Sequence, residues 1–127
     1  MTKEQLLVLC EEIKDKFHLK DWFVRFYIED VINGSPDAWG YCEVIYGRKI
    51  ANITLAEELL NRDIRTVKQV ICHELIHVHL NAISESTREL LDPLSADMHH
   101  SINRIMNLEI ERATDVLSFV VAGLLED

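Results

Sequence analysis

The pattern of apolar and polar positions predicts helices at both ends of the chain and strands between them. Over residues 3–17, leucine, isoleucine and phenylalanine recur at helical spacing, and Thr2 with Gln5 matches the capping box that opens many helices. Residues 22–28 are rich in aromatic and β-branched side chains, which favour a strand. We therefore expect an N-terminal helix over 3–17 and a first strand over 22–28.

Two further strands are predicted in the next stretch of sequence. Residues 33–37, Asn-Gly-Ser-Pro-Asp, carry the strongest turn signal in the chain. A second strand is expected over 38–46, and Gly47 with Arg48 can turn it into a third over 49–54. The third strand mixes isoleucines with polar residues, which predicts that it is half exposed.

Helical signal dominates the rest of the chain. Residues 55–60 favour a short helix or turn, and Asp63 is placed to cap a longer helix over 64–82. Residues 84–92 are polar and end in Asp-Pro, so we expect a loop there.

A last helix is predicted from Ser95 to residue 125, which is long for a globular helix, so a kink is expected around residues 103–107. Three consecutive strands followed by helices indicate an α+β fold rather than an alternating α/β fold. With 127 residues, the chain is expected to be a single domain spanning residues 1–127.

Composition and charge narrow the class of partner. Hydrophobic residues make up 48% of the chain and charged residues 28%, which is typical of a globular domain. The formal net charge of −9 disfavours nucleic acid and anionic membranes as partners. Three scattered cysteines, Cys10, Cys42 and Cys72, do not form a disulfide framework, and the N-terminus lacks the pattern of a signal peptide. We therefore expect a cytoplasmic protein with reduced thiols.

The clearest chemical signal is the segment His73-Glu74-Leu-Ile-His77, which matches the zinc-hydrolase pattern H-E-x-x-H. Residues four apart lie one turn apart on the same helix face, so both imidazoles can bind one Zn²⁺. Glu74 is rotated about 100° from His73, which places it beside the metal. A general base acting on a zinc-bound water belongs at that position. One zinc ion per chain is therefore expected.

Two neighbouring residues are tempting as ligands and are rejected on geometry. His79 follows His77 by two residues, about 200° around the helix, and therefore faces away from the metal. Cys72 also points away from the face of the two histidines and is expected to be a small core residue.

The third ligand that a catalytic zinc requires is expected on the last helix. Glu109, Glu111 and Asp115 are the available carboxylates; Glu111 and Asp115 share a face, whereas Glu109 lies on the opposite side. His100 and Arg104 extend the Glu111 face into one polar stripe. The apolar residues of the same segment are expected to pack against the motif helix: Ile105, Leu108, Ile110, Val116, Leu117, Phe119 and Val120.

With Glu111-Arg-Ala-Thr-Asp115 as a second motif, E-x-x-x-D, the chain resembles the gluzincin branch of the zincin metallopeptidases. The resemblance implies that His73, His77 and Glu111 bind zinc, that Glu74 is the base, and that Asp115 orients a ligand histidine. The small size and the short strand array before the motif helix look like the minimal metallopeptidase domains of phages and prokaryotes. SprT-like and ImmA-type domains are the nearest comparisons.

The sequence departs from larger relatives because it contains no evident substrate-binding second domain and no assured donor for the oxyanion. Tyr41, His99, His100 and Arg104 are the candidates, and we include His100 and Arg104 with Glu74 among the expected catalytic residues.

Two functions are compatible with these residues. In the first, the protein is a zinc-dependent peptidase acting on proteins or peptides, with residues 49–54 offering a strand edge that pairs with an extended substrate. In the second, it is a non-catalytic protein-binding module that keeps a zincin scaffold and a structural zinc. The presence of Glu74 favours the peptidase, because a structural site needs no base.

Overall fold

The described residues form three α-helices, three strands and a short 3-10 helix. The structure is a computed structural model, and it describes residues 1–32, 38–45 and 47–125. In chain order the elements are α1 (Lys3–Lys16), β1 (Phe23–Glu29), β2 (Gly40–Val44), β3 (Ile50–Ala56), the 3-10 helix (Glu57–Asn61), α2 (Ile64–Leu91) and α3 (Ala96–Leu124). This order confirms the predicted α+β class.

The helix starts follow the predicted caps. The Gln5 backbone N–H donates to the Thr2 hydroxyl at 3.1 Å, and the Thr2 N–H donates to the Gln5 side chain at 2.8 Å, which completes the capping box. At the start of α2, the Thr66 N–H donates to the Asp63 carboxylate at 3.3 Å. Ser95 caps α3 in the same way, through the Met98 N–H.

The sheet has the order β1-β3-β2, with β1 parallel and β2 antiparallel to β3. Ala51, Ile53 and Leu55 of β3 are buried in alternation, as expected for a strand paired on both sides. The prediction that residues 49–54 form an edge is therefore wrong. β3 is central because it accepts β1 on one side and its hairpin partner β2 on the other, so β2 is the edge strand nearer α2.

The hairpin between β2 and β3 turns where predicted. Gly47 has a φ of +72°, a conformation that glycine adopts without steric cost, and the Arg48 N–H donates to the Ile45 carbonyl at 3.1 Å. The turn predicted at residues 33–37 lies outside the described residues.

Helix α2 is longer than predicted. The loop expected over residues 84–92 is wrong, because α2 continues to Leu91 and ends just before Pro93. Only one side of the last turn of α2 is buried. Leu91 lies on the buried side, whereas Leu90 is 76% exposed. Polar residues dominate this stretch because most of its surface faces solvent, and such a composition is easily mistaken for a loop.

Helix α3 is a single helix through residues 103–107, where a kink was expected. It packs against α2 through small residues, of which Thr114, Ser118 and Ala122 are buried. The apolar residues predicted to make that contact are mostly on the other side. Those exposed by 46–61% are Ile105, Leu108, Val116, Leu117, Phe119 and Val120. Phe119 still contacts α2, because the Arg65 guanidinium lies 5.6 Å from the centre of its ring. The prediction was wrong because the face that carries Glu111 and Asp115 turns towards α2.

The core lies between the sheet, α1 and α2. Its fully buried large side chains include Leu6 of α1, Ile53 and Leu55 of β3, and Ile71 and Leu75 of α2. None of the three cysteines is in a disulfide. Among the helices of the described ranges, none is both long and apolar enough to cross a bilayer.

Candidate metal centre

Helix α2 presents His73 and His77 side by side. They are one turn apart, and their Nε2 atoms lie 3.2 Å from each other. Both side chains are largely buried, with 18% and 23% of their surface exposed. Burial lowers the pKa of His77, which favours the neutral imidazole that a metal requires.

Helix α3 brings Glu111 to the two histidines. One Glu111 oxygen lies 2.7 Å from His77 Nε2, and the other lies 3.3 Å from His73 Nε2. Glu109 points to the opposite side of α3, where its carboxylate pairs with Arg112 at 3.2 Å. Of the three carboxylates that the sequence offered, Glu111 is therefore the one that reaches the Nε2 atoms of both histidines.

Asp115 contacts the back of His73. Its Oδ1 lies 2.9 Å from His73 Nδ1, so Nδ1 carries the proton and its N–H donates a hydrogen bond to the carboxylate. With Nδ1 protonated, the neutral ring keeps its lone pair on Nε2, which is the atom that faces Glu111 and His77. Asp115 therefore fixes His73 in the tautomer that can bind a metal.

These donor atoms suit a zinc ion. One ligand atom from each of His73, His77 and Glu111 lies within 4.8 Å of the others. Two ligand atoms at 2.0–2.1 Å from a tetrahedral zinc are about 3.3 Å apart, close to the 3.2 Å between the two Nε2 atoms. Two imidazoles with one carboxylate are also a donor set that zinc accepts while leaving a fourth position free.

Glu74 lies beside this group and is buried against strand β2. Its Oε1 is 4.0 Å from His73 Nε2, so it adjoins the donor atoms without belonging to them. Burial, together with the charge of Glu111, raises the pKa of the Glu74 carboxyl to about 8. A carboxyl with a pKa near neutrality is suited to accepting and releasing a proton.

The close approach of β2 to Glu74 depends on Gly40. A Cβ at this position would lie 3.0 Å from Glu74 Cγ, 3.1 Å from its Oε1 and 3.1 Å from Val70 Cγ1. The glycine therefore allows the edge strand to cover Glu74 and contributes to the burial that shifts the pKa of its carboxyl.

Two cavities open on either side of His73 and Glu74. The first, of about 320 Å³, is walled by Trp39, Thr66, Gln69, Val70 and Ser118. The second, of about 300 Å³, lies over His77 and Glu111 and is lined by residues of β2 and α2: Tyr41, Cys42, Val44, Asn81 and Ser84. Together they form a cleft that follows edge strand β2 past the donor atoms.

Asn81 and Ser84 were not among the sequence-based candidates. Asn81 follows His77 by four residues, so the same helical spacing that joins His73 to His77 also places Asn81 on this face. The side-chain amide of Asn81 donates to Glu85 at 2.8 Å. Ser84 and Gly40 gave no comparable signal in the sequence.

The proposed oxyanion donors are scattered. Tyr41 lines the second cavity, whereas His99 lies 3.8 Å from Asp92 near the junction of α2 and α3. His100 and Arg104 are exposed on α3 and line neither cavity. They share the Glu111 face but lie about 16 and 10 Å further along the helix axis. The structure therefore does not bring these two side chains to the donor atoms.

The two rejected neighbours lie where helix geometry predicted. The ring of His79 stacks on Phe17, and its Nε2 lies 2.7 Å from the Phe17 carbonyl. Cys72 is fully buried, and burial raises the pKa of its thiol to about 11. Neither residue faces the donor atoms.

Comparison with known protein families shows which family the chain belongs to. It matches the SprT-like family over residues 14–113. The chain belongs to the SprT-like family. This is a zincin-like, metallopeptidase-related family, and the matched region contains the two histidines, Glu74 and Glu111. The match does not extend to the ImmA-type or gluzincin assignment, and no curated protein and no solved structure matches the chain.

Proposed function

We propose that this SprT-like protein is a zinc-dependent peptidase. The observation that carries the proposal is the convergence of three donors with a buried carboxyl that is not one of them: His73, His77 and Glu111 beside Glu74. A structural zinc site is closed by four protein ligands, whereas a catalytic site leaves a position for water. Three donors next to an open cleft support catalysis rather than the binding module with structural zinc.

The residues of the chain have separate parts in this proposal. His73, His77 and Glu111 hold the ion, and Asp115 keeps His73 in the correct tautomer. Zinc, when bound, supplies a Lewis acid that acidifies water and polarises a carbonyl. Glu74 receives the proton from the water and passes it to the leaving amine.

The pKa of Glu74 fits this exchange. Burial and the charge of Glu111 raise it to about 8, and a nearby cation would lower it because a cation stabilises the carboxylate. Glu74 therefore accepts a proton readily yet remains able to release one. Because β2 excludes water from one side of Glu74, the proton stays close to the reacting atoms.

Edge strand β2 supports a protein or peptide as the substrate. Its pairing with β3 occupies one side of the strand, and no described strand pairs with the other. The strand runs beside the cleft, and Gly40 and Tyr41 line the second cavity. An extended peptide that adds to this edge is held by main-chain hydrogen bonds with a peptide bond near the donors.

The test compares wild-type protein with Glu74→Gln, each loaded with one equivalent of zinc, on an unstructured protein substrate. We expect equal zinc content and a loss of cleavage by at least about 100-fold in the variant, because the general base is removed. Glu12→Gln, an exposed carboxyl on α1, is the matched control and should cleave as wild type. Equal cleavage by Glu74→Gln and wild type would exclude Glu74 as the base.

A further outcome separates the two functions. If neither wild type nor control cleaves while all three proteins bind zinc equally, the site holds metal without hydrolysis, and the peptidase proposal fails. If wild-type protein prepared without chelators binds no zinc, the assignment of the metal centre is wrong, and so is the peptidase proposal.

A further inference from the structure

The exposed side of α3 carries a regular pattern that the metal centre does not use. Eight positions follow one another at alternating steps of four and three residues: Met98, Ile102, Ile105, Glu109, Arg112, Val116, Phe119 and Gly123. This is the spacing of the seam through which two helices pack as a coiled coil. Met98, Ile105 and Val116 are 53–61% exposed. Ile102 is half-buried, and the Arg65 guanidinium of α2 lies 5.6 Å from the centre of the Phe119 ring, which is still 56% exposed. Most of the apolar surface of the seam therefore has no partner among the described residues.

The seam is symmetric about its centre. If a second copy lies antiparallel, with the two-fold axis between residues 110 and 111, every seam position meets another seam position. The four pairs are Met98 with Gly123, Ile102 with Phe119, Ile105 with Val116, and Glu109 with Arg112. A two-fold interface requires this self-complementarity, since each contact occurs twice.

The charges of Glu109 and Arg112 at the centre of the seam favour the antiparallel register. Glu109 and Arg112 pair within the helix at 3.2 Å and remain mostly exposed. In the antiparallel register each also meets its opposite charge on the second copy. A parallel copy would place Glu109 against Glu109, and a shift by seven residues would place Glu109 against Ile105 or Phe119. Buried like charges and unpaired charges are both costly, so the alternatives are disfavoured.

The position of α3 in the fold leaves room for a second copy. Its opposite face, with Thr114 and Ser118, packs on α2, so α3 forms an outer layer. Glu111 lies about 140° around the helix from Val116, away from the seam. The seam from Met98 to Gly123 is about 38 Å long, which is ample for a stable helix pair.

We propose that two copies of this chain associate through antiparallel α3 helices along this seam, with the Glu109–Arg112 pairs at the centre. The proposal is independent of peptidase activity. It leaves both clefts open to solvent, because the donor atoms and the seam lie on different faces of α3.

Molar mass in solution tests the association. Wild-type protein should have the mass of a dimer in light scattering across the micromolar range. Val116→Asp should raise the dimer dissociation constant by roughly 100-fold or more, because it buries two unpaired carboxylates. Val8→Asp, a matched change at an exposed valine on α1, should remain dimeric. Helical circular dichroism should be the same in all three proteins, which separates dissociation from unfolding.

Charge exchange tests the register. Glu109→Arg should dissociate the dimer, because four arginines then meet at the centre, and Arg112→Glu should do the same with four glutamates. The double variant with both changes should restore the dimer, because every contact is again between opposite charges. Failure of the double variant to recover would overturn the register.

Cross-linking tests the orientation. An equal mixture of Ile105→Cys and Val116→Cys chains should form an interchain disulfide under mild oxidation, and neither variant alone should do so. Residues that cross-link need Cα atoms within about 7 Å, whereas the two copies of residue 105 would lie about 16 Å apart along the axis. A monomeric wild-type protein, or cross-linking of Ile105→Cys with itself, would overturn the proposal.

Discussion

At the residue scale, the distinctive feature of the site is that two carboxylates on α3 contact different atoms of the histidines. Glu111 reaches both histidine Nε2 atoms, while Asp115, one turn further, binds His73 Nδ1. Helical spacing predicted that Glu111 and Asp115 share a face, and the resemblance to zincin metallopeptidases implied their separate roles. Spacing alone does not show which face meets α2, and the fold supplies that information.

The two carboxylates should differ in their effect on zinc affinity. Glu111→Gln should weaken zinc binding most, because it removes a donor, and Asp115→Asn should weaken it by about 10- to 100-fold, because His73 loses the partner that fixes its tautomer. Glu109→Gln is the matched control on the opposite face and should leave the affinity unchanged. Zinc titration against a competing chelator measures all three. If Glu109→Gln proved the costliest change, the assigned face of α3 would be wrong.

Gly40 gives a second prediction at this scale. Gly40→Ala places a methyl group 3.0 Å from Glu74 Cγ, so Glu74 or strand β2 must shift. We expect zinc affinity to be retained, because no donor is touched, and cleavage to fall by up to about 100-fold, because small displacements of a catalytic group are costly. Glu29→Ala, an exposed change on strand β1 away from the cleft, is the control. Unchanged cleavage by Gly40→Ala would show that Glu74 tolerates the contact.

At the element scale, local signals in the sequence predicted where helices begin better than where they end. Thr2, Asp63 and Ser95 all cap helices through their side chains, as their residue types suggested. The end of α2 was misplaced because its last turns are polar and bury little besides Leu91. The pairing of β1 with β3 was also beyond prediction, because parallel pairing depends on contacts distant in sequence.

The cap of α2 gives a prediction that depends on pH. Hydrogen bonds from the Thr66 hydroxyl and backbone N–H lower the pKa of Asp63 below its usual 3.8. The ionised cap therefore stabilises the fold above this value, and the contribution disappears as the pH falls through the lower pKa of the folded state. Thermal unfolding should show Asp63→Ala less stable than wild type at pH 7, with a smaller difference below pH 4.

Asp63→Asn controls for the charge in that experiment. Its amide oxygen still caps the helix but does not ionise in this range, so its stability relative to Asp63→Ala should not vary with pH. A wild-type advantage over Asp63→Ala that stays constant down to pH 2 would mean that ionisation of Asp63 contributes nothing to the cap.

At the scale of the whole molecule, the candidate site connects helices α2 and α3. Helix α3 meets α2 through small buried residues such as Thr114 and Ser118. Most of its large apolar side chains are exposed, although Val121 packs against the core. The motif H-E-x-x-H and the SprT-like part of the resemblance were accessible from the sequence, because the motif depends on local spacing. The exposed apolar side of α3 was not, because amphipathicity shows that a helix has an apolar face without showing what that face contacts.

A metal that bridges α2 and α3 should therefore stabilise the whole fold. A ligand that binds only the folded state contributes about 4 kcal/mol when its free concentration is 1,000 times its dissociation constant. Zinc should raise the unfolding temperature of wild-type protein, and a chelator should reverse the increase. His73→Ala should abolish it, because the remaining donors do not hold the ion. His79→Ala is the matched control: losing the contact with Phe17 should lower the starting stability but preserve the increase on adding zinc. An equal increase in wild type and His73→Ala would place the stabilising zinc elsewhere on the chain, and the connection between α2 and α3 would then depend on packing and on direct contacts such as that between Asp115 and His73.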